Sequence, residues 1–313
     1  MDFGDLNSLP SLLVLILIAF LSIYLISCLF GRKKIDIKGK YVLITGCDTG
    51  FGRATAIKLD KMGACVLATC LTKEGEKSLK SEASDKLKTF QMDVTNSEAD
   101  YGLWGLVNNA GILCLAPIEW SPLEDFKRTA DVNIWGMIDV TKTFLPLLKM
   151  SKGRVVNLGS MAGRISVPLY ASYCVSKYGV EAFSDALRQE MQPWGMKVIV
   201  LEPGFFATKL SAPEALERDL RKGWNYISKD LKKDYGEGYL KRAIEKVTHY
   251  RALSDNSEVV TAIVKGLTSP SPSDRYIVGL DARYMLIPLG SLPAFIADFI
   301  FRVLFRPPRA RAG

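Results

Sequence analysis

The sequence predicts an α/β fold, a parallel sheet wound on both faces by helices, and three observations predict it. A short β-branched run, Tyr41 to Thr45, leads into a glycine-rich turn, Gly46 to Gly52, and then into the helical pattern Arg53 to Met62. Further apolar runs recur at Cys65 to Cys70, Thr89 to Val94, Leu103 to Val107, Arg154 to Leu158 and Lys197 to Leu201. Helix-length segments separate them at Lys73 to Ser84, Leu123 to Lys149 and Tyr173 to Gln192. Strands alternating with helices run parallel, because each return across the sheet is made by a helix packed on its face. At 313 residues the chain accommodates one such domain with terminal extensions and is short for two. The expected organisation is an N-terminal membrane anchor with its basic flank over 1–34, the α/β domain over 35–283, and an apolar segment with a basic tail over 284–313.

The anchor is read from the apolar run Leu12 to Phe30, which lies in a stretch without charge between Asp5 and Arg32. About 20 apolar residues in a helix span a bilayer core. A cleaved signal peptide opens on basic residues, whereas Asp2 and Asp5 stand here, and no arginine precedes Arg32 to suggest a mitochondrial leader. Arg32, Lys33 and Lys34 favour the cytoplasmic side for the remainder of the chain. Near the other end, Pro288, Pro293, Asp298 and Arg302 interrupt the apolar stretch Tyr284 to Phe305. That pattern suits interfacial packing or a dimer surface better than a second span, with core packing an equal alternative.

The formal charge of +8 is concentrated beside these apolar ends, in Arg32 to Lys34 and in Arg306, Arg309 and Arg311. No basic helix is interleaved with aromatics to follow phosphates and stack bases, so a membrane surface is expected and nucleic acid is not. Six cysteines, Cys28, Cys47, Cys65, Cys70, Cys114 and Cys174, form no CxxC pair or metal-ligand spacing, and a bound metal is not expected. They read as free thiols. The single histidine, His249, lies in a polar stretch without a nucleophile elbow, which argues against Ser/His/Asp hydrolysis and puts it on the surface.

Chemistry-bearing motifs fall in one order along the α/β domain. Thr45-Gly46-Cys47-Asp48-Thr49-Gly50-Phe51-Gly52 puts glycines where backbone approaches a pyrophosphate, with a helix N-terminus behind to favour negative charge. Asn108-Asn109-Ala110-Gly111 comes directly after the fourth strand. Then come Asn133, Ser160, Tyr173-x-x-x-Lys177 and Pro203-Gly204-x-x-x-Thr208. Over Lys40 to Leu210 this order resembles the short-chain dehydrogenase/reductase family, whose fold is a Rossmann-like doubly wound parallel sheet.

The chemistry suits the residues. Tyr173 and Lys177 are four apart and share a helix face. A tyrosine with its unperturbed pKa of about 10 is a poor base at neutral pH. A neighbouring ammonium, together with the positive charge of an oxidised nicotinamide, favours phenolate and suits Tyr173 to general acid/base work on an alcohol. Ser160, just after a strand, offers a hydroxyl to the substrate oxygen. The resemblance implies that Asn133 helps hold Lys177 and a proton-relay water, that Asp93 meets the adenine, and that Asn109 and Gly111 flank the adenosine ribose. It also implies that Thr208 holds the nicotinamide carboxamide. Thr45, Gly46, Asp48, Gly50, Phe51, Gly52, Pro203 and Gly204 complete the implied cofactor contacts, with Tyr173 and Lys177. The second strand ends without the acidic residue that grips a ribose hydroxyl, reading Ala68-Thr69-Cys70-Leu71-Thr72-Lys73. NAD is expected from the resemblance, with NADP, met by Lys73, as the alternative.

Ile44 to Asp48, Gly102 to Asn109 and Ser176 to Asp185 are similar to the branch of microsomal retinol and hydroxysteroid dehydrogenases. Asn133-Ile134-Trp135-Gly136 with Tyr173-Cys174 leans toward mitochondrial 3-hydroxybutyrate dehydrogenase in the same branch. The resemblance implies an NAD(P)-dependent oxidoreductase. With the apolar N-terminus and the aromatics Phe205, Phe206, Trp224 and Tyr226 it favours a lipophilic primary or secondary alcohol, retinoid or steroid, at the endoplasmic reticulum. A 3-hydroxybutyrate dehydrogenase-like enzyme at a mitochondrial membrane is the alternative. A homodimer is expected by family analogy alone.

One departure opens a third reading, a catalytically impaired form or membrane scaffold. Only Thr95 to Gly102 connect the third and fourth strands, where the family carries a whole helix. Eight extended residues reach about 27 Å at most. In a strand order 3-2-1-4 the connector travels about 14 Å sideways and about 17 Å back along a strand. The crossover helix is expected to be missing, with one sheet face uncovered and cofactor binding weakened on the adenine side.

Overall fold

In the computed structural model, which describes residues 12–19, 22, 33–90, 102–236, 238–249 and 254–304, the alternation read from the sequence becomes a parallel sheet. Its strands are β1 (Tyr41–Ile44), β2 (Cys65–Thr69), β3 (Lys88–Phe90), β4 (Leu103–Asn108), β5 (Arg154–Leu158), β6 (Lys197–Pro203) and β7 (Arg275–Val278). They lie in the order β3-β2-β1-β4-β5-β6-β7. Every pairing is parallel, with Ile44 opposite Ala68 on one side and Val107 on the other. The order reverses at β1, and in such sheets the ligand crevice opens beyond the carboxyl ends of the strands at that point.

The helices are α1 (Gly50–Lys61), α2 (Lys73–Lys80), α3 (Leu123–Ala130), α4 (Met137–Met150), α5 (Ala171–Met191), α6 (Pro213–Tyr226), α7 (Lys229–Tyr235), α8 (Gly238–Thr248), α9 (Asn256–Thr268), α10 (Ile287–Gly290) and α11 (Ala294–Leu304). Side chains alternate across a strand, so each strand feeds two cores. Val42, Ile44, Val66 and Ala68 pack with Leu59 of α1, Leu79 of α2 and Ile263 of α9. On the opposite face Leu43, Leu106, Val155 and Val198 pack with Val140 and Leu148 of α4 and Leu187 and Met191 of α5. Over β2 that second face carries no described helix. Cys65 and Leu67 there are only half-buried, whereas Val66 and Ala68 beside them are fully enclosed.

Several expectations change. The third strand is described only as Lys88–Phe90; Asp93, Val94 and the connector up to Tyr101 lie outside the described residues. The single helix expected over Leu123 to Lys149 is two, joined by a π-helical stretch at Asp131–Gly136. β7 and α9 were not expected. His249 is exposed, as the sequence suggested. Cys47, Cys65, Cys70, Cys114 and Cys174 are free thiols, and Cys28 lies outside the described residues.

The chain divides into a small unit, Met1–Asp36 with Thr268–Ser271, and the main body. In the small unit residues 12–19 are helical and expose Leu12 to Ile18, and the Ile35 amide donates to the Thr268 carbonyl at 2.8 Å. Most of the Leu12 to Phe30 run lies outside the described residues. Among those described, no helix is long and apolar enough to cross a membrane. The C-terminal segment has two faces. Leu286, Ile287 and Leu289 are buried against Met161, Ile165 and Val167, while Phe295, Phe299 and Val303, spaced four apart on α11, are exposed.

Candidate active site

The glycine turn after β1 is set by close approach. Gly46 has φ +71°, and a Cβ on it would meet the Ala110 Cα at 2.9 Å, so only glycine lets the turn lie against the loop after β4. Thr45 and Asn109 lock the two together. The Thr45 hydroxyl accepts from the amides of Asn109 and Ala110, both at 3.0 Å. The Asn109 Nδ2 donates to the carbonyls of Thr45 and Gly46 at 2.8 and 3.0 Å. These two residues build the crevice wall. Asn109, expected beside the adenosine ribose, lines the cavity described below and commits its side-chain amide to the glycine turn.

The Asp48 carboxylate crosses to the backbone after β2, accepting from the Leu71 amide at 2.7 Å and from the Thr72 amide and hydroxyl at 2.9 and 2.8 Å. Burial pushes its pKa up, and these hydrogen bonds outweigh that and hold it below the usual range.

Ser160 begins the 3₁₀ turn Met161–Gly163 directly after β5, with extended backbone. Its hydroxyl accepts from the Ala162 amide at 3.1 Å and lies 3.5 Å from the Pro203 carbonyl. Gly163 lets that turn pack onto α5, since a Cβ there would meet the Lys177 carbonyl oxygen at 2.7 Å. On α5, Tyr173 and Lys177 stand one turn apart, as their spacing predicted. The buried Lys177 ammonium donates to the Leu158 carbonyl at 2.6 Å and lies 5.5 Å from the centre of the Tyr173 ring. Burial lowers its pKa to about 8, against an upward pull from Glu181. Burial raises the Tyr173 phenol to about 12, and Ser160 opposes this only in part.

Asn133 does not touch Lys177 through its side chain. Its Oδ1 accepts from the Ile112 amide at 2.8 Å, and its Nδ2 donates to the Ile112 carbonyl and the Ser176 hydroxyl, both at 2.9 Å. Ser176 in turn donates to the Tyr173 carbonyl at 2.7 Å, so Asn133 ties the loop after β4 to the turn of α5 that carries Tyr173. The π-helical stretch brings it there, a distortion frequent at functional sites.

A cavity of about 140 Å³ joins these groups, lined by Phe51, Asn109, Gly111, Ser160, Tyr173, Lys177, Pro203, Gly204 and Thr208, with apolar walls from Leu113, Val167, Phe205, Phe206 and Leu210. Thr208 opens a short 3₁₀ turn in a capping box with Ser211. Sequence reasoning missed Asp281, a buried carboxylate that accepts from the Phe205 amide at 2.7 Å and packs against Gly204. It fixes the loop after β6 from 76 positions away, and no local signal announces it. Buried charge lies behind α5. The fully buried Glu202 accepts from Arg164 and Arg275 at 2.9 and 3.0 Å, and Glu181 and Asp185 also hold Arg275.

Comparison with known proteins matches this arrangement. The family model described as short chain dehydrogenase fits residues 40–219. The chain belongs to the short-chain dehydrogenases. It is an oxidoreductase of the alcohol dehydrogenase/reductase kind, and it takes a nicotinamide dinucleotide as members of this family do. It is 41% identical to Retinol dehydrogenase 7 of Rattus norvegicus over 317 aligned residues, covering 95% of this chain and 99% of that protein. Dehydrogenase/reductase SDR family member 9 of Homo sapiens is 41% identical across 86% of this chain and 90% of its own length. Among solved structures, a short-chain dehydrogenase from Streptomyces avermitilis matches at a TM-score of 0.66 with 24% identity, over 86% of this chain and 98% of that one. One from Burkholderia cenocepacia, in complex with NADP, matches at 0.64 with 22% identity, over 86% and 99%. These two likenesses bear on the fold.

The crevice fits a dinucleotide. α1 starts at Gly50 with no side-chain cap and no acidic residue in its first turn, so its leading amides are available to an anion. Gly50, with φ +64°, has nothing within 4 Å of where a Cβ would project, which leaves room for phosphate against the backbone.

Proposed function

We propose that this short-chain dehydrogenase interconverts a lipophilic alcohol of the retinoid or steroid class and its carbonyl at a membrane surface, using NAD(H). The observation that carries the reading is that Ser160, Tyr173 and Lys177 line one cavity together with apolar walls from Leu113, Val167, Phe205, Phe206 and Leu210. Such walls favour an apolar substrate body and give a small hydroxy acid no cationic partner except Lys177.

The catalytic parts fall to three side chains and one positioning residue. Ser160 holds the substrate oxygen beside the Tyr173 phenol. Tyr173 takes the hydroxyl proton during oxidation and returns it during reduction. Lys177, fixed by the Leu158 carbonyl, supplies the positive charge that favours phenolate, and Asn133 is a positioning residue acting through Ser176. When bound, an oxidised nicotinamide would supply the hydride acceptor for the carbinol carbon and a second positive charge near the phenol. Because burial alone pushes Tyr173 upward, both charges are needed to make it a base near neutral pH. Gly46, Gly50, Phe51 and Gly52 would hold the phosphates, with Asp93 on the adenine and Pro203, Gly204 and Thr208 near the nicotinamide.

Membrane placement belongs to the same reading. The Leu12 to Phe30 run anchors the chain in the endoplasmic reticulum membrane with the α/β domain in the cytosol, and the exposed Phe295, Phe299 and Val303 lie on that surface. A homodimer is proposed by analogy with the family. The test is a substrate panel on membranes expressing the chain. Turnover of all-trans-retinol or an androgen with NAD, and none of 3-hydroxybutyrate, is expected; the reverse result refutes the reading.

A further inference from the structure

In dinucleotide-binding sheets the end of the second strand is where the adenosine ribose is read, by an acidic side chain for the free 2′-hydroxyl or by a basic one for a 2′-phosphate. This chain has no acid there, reading Thr69-Cys70-Leu71-Thr72-Lys73. The fold supplies one from elsewhere. Asp48, in the glycine turn 23 residues upstream, lays its carboxylate against that backbone with hydrogen bonds of 2.7, 2.9 and 2.8 Å from Leu71 and Thr72.

We propose that Asp48 selects the cofactor: its carboxylate occupies the backbone donors after β2 and puts negative charge where a 2′-phosphate would bind, so that the chain prefers NAD(H) to NADP(H). This rests on the dinucleotide reading of the crevice. Three of the donors that an anion would seek at the start of α2 are already spent. Leu71 and Thr72 give their amides to Asp48, and the Gly75 amide goes to the Thr72 hydroxyl at 3.0 Å. The space is closed as well, since even a Cβ on Gly75 would lie 2.5 Å from the Asp48 Oδ1.

The neighbouring charges leave the carboxylate dominant. Glu74 and Glu76 in the first turn of α2 add negative charge, Glu76 being paired to Lys80 at 2.8 Å. Arg53 gives its NH2 to Ser78 and to Glu82 at 2.8 Å, and its buried NH1 makes no hydrogen bond. Lys73 is the one cation of the loop itself, and its side chain is exposed and must order itself to meet a phosphate, whereas Asp48 is already fixed.

The test is equilibrium binding to the purified full-length chain, followed by protein fluorescence, of two probes that differ only by the phosphate in question, 5′-AMP and 2′,5′-ADP. The wild type is expected to bind 5′-AMP at least tenfold more tightly. Asp48→Asn, which removes the charge and keeps the size, is expected to reduce that ratio at least tenfold, and Asp48→Glu is expected to keep most of it. A bracing role alone would weaken both probes equally in the two variants and leave the ratio unchanged, which overturns the proposal. So does a wild type that prefers 2′,5′-ADP. Binding of neither probe to the wild type defeats the dinucleotide reading beneath it. NADH and NADPH titrations of the same proteins are expected to show the same order.

Discussion

Replacing Lys177 with methionine removes the ammonium while keeping an unbranched side chain in its buried slot. The ammonium lies 5.5 Å from the centre of the Tyr173 ring. At an effective dielectric of about 20, a charge pair at that separation interacts by about 3 kcal/mol, or about two pKa units on the phenol. Lys177→Met should therefore lower kcat/KM at pH 7 about 100-fold and move the rising limb of the pH profile about two units toward alkali. With its own pKa lowered to about 8, Lys177 in the wild type is largely charged at pH 7 and gives up this support as the pH rises above 8. The variant also leaves the Leu158 carbonyl without its donor, a cost of about 1–3 kcal/mol, so Tm is recorded alongside. The assay is NADH formation from a retinoid or steroid alcohol between pH 6 and 10. A loss below fivefold in a folded variant, or an unshifted profile, refutes the electrostatic role assigned to Lys177.

Other residues yield further expected outcomes. Glu181, buried beside Glu202, is raised from the usual 4.5 to about 7, with Arg275 and Arg164 pulling it down. A carboxyl raised on folding contributes stability that is complete below about pH 4.5 and is lost as the pH rises through 7, at most about 3 kcal/mol. Tm measured from pH 4.5 to 7.5 should thus fall less in Glu181→Gln than in the wild type; equal slopes would contradict the assignment. Gly46→Ala forces a side chain into left-handed backbone and against Ala110, and should cost about 2 kcal/mol or more with loss of ADP binding, read by thermal melts and fluorescence. The short connector after Val94 predicts NADH binding weaker than micromolar, and a micromolar Kd by titration would remove that expectation.

What the sequence made legible was what local pattern encodes. β1, the glycine turn and α1 are contiguous, so their periodicity and punctuation located them, and the four-residue spacing of Tyr173 and Lys177 fixed their shared helix face. Readings that depended on distant partners fared differently. The motif shows Asp48 and Asn109 but not what their side chains hold, the backbone at Leu71 and Thr72 and the glycine turn, which only the folded sheet brings near. Burial, invisible in a spacing, pushes the Tyr173 phenol upward and outweighs its local partner Ser160. The π-helical stretch at Asn133 left no mark in an otherwise helical pattern, and the short β7 hides after a Ser/Pro turn at the far edge of the sheet.

The central claim is that Tyr173 performs the proton transfer of an alcohol dehydrogenase. Tyr173→Phe keeps the ring among its buried neighbours and removes only the phenolic oxygen, so the most direct measurement is single-turnover NADH formation by that variant, with ADP binding measured on the same sample. Turnover is expected to fall at least 1,000-fold, about 4 kcal/mol, while nucleotide affinity stays within a factor of three; a variant that binds nucleotide normally and still forms NADH within tenfold of the wild-type rate contradicts the claim.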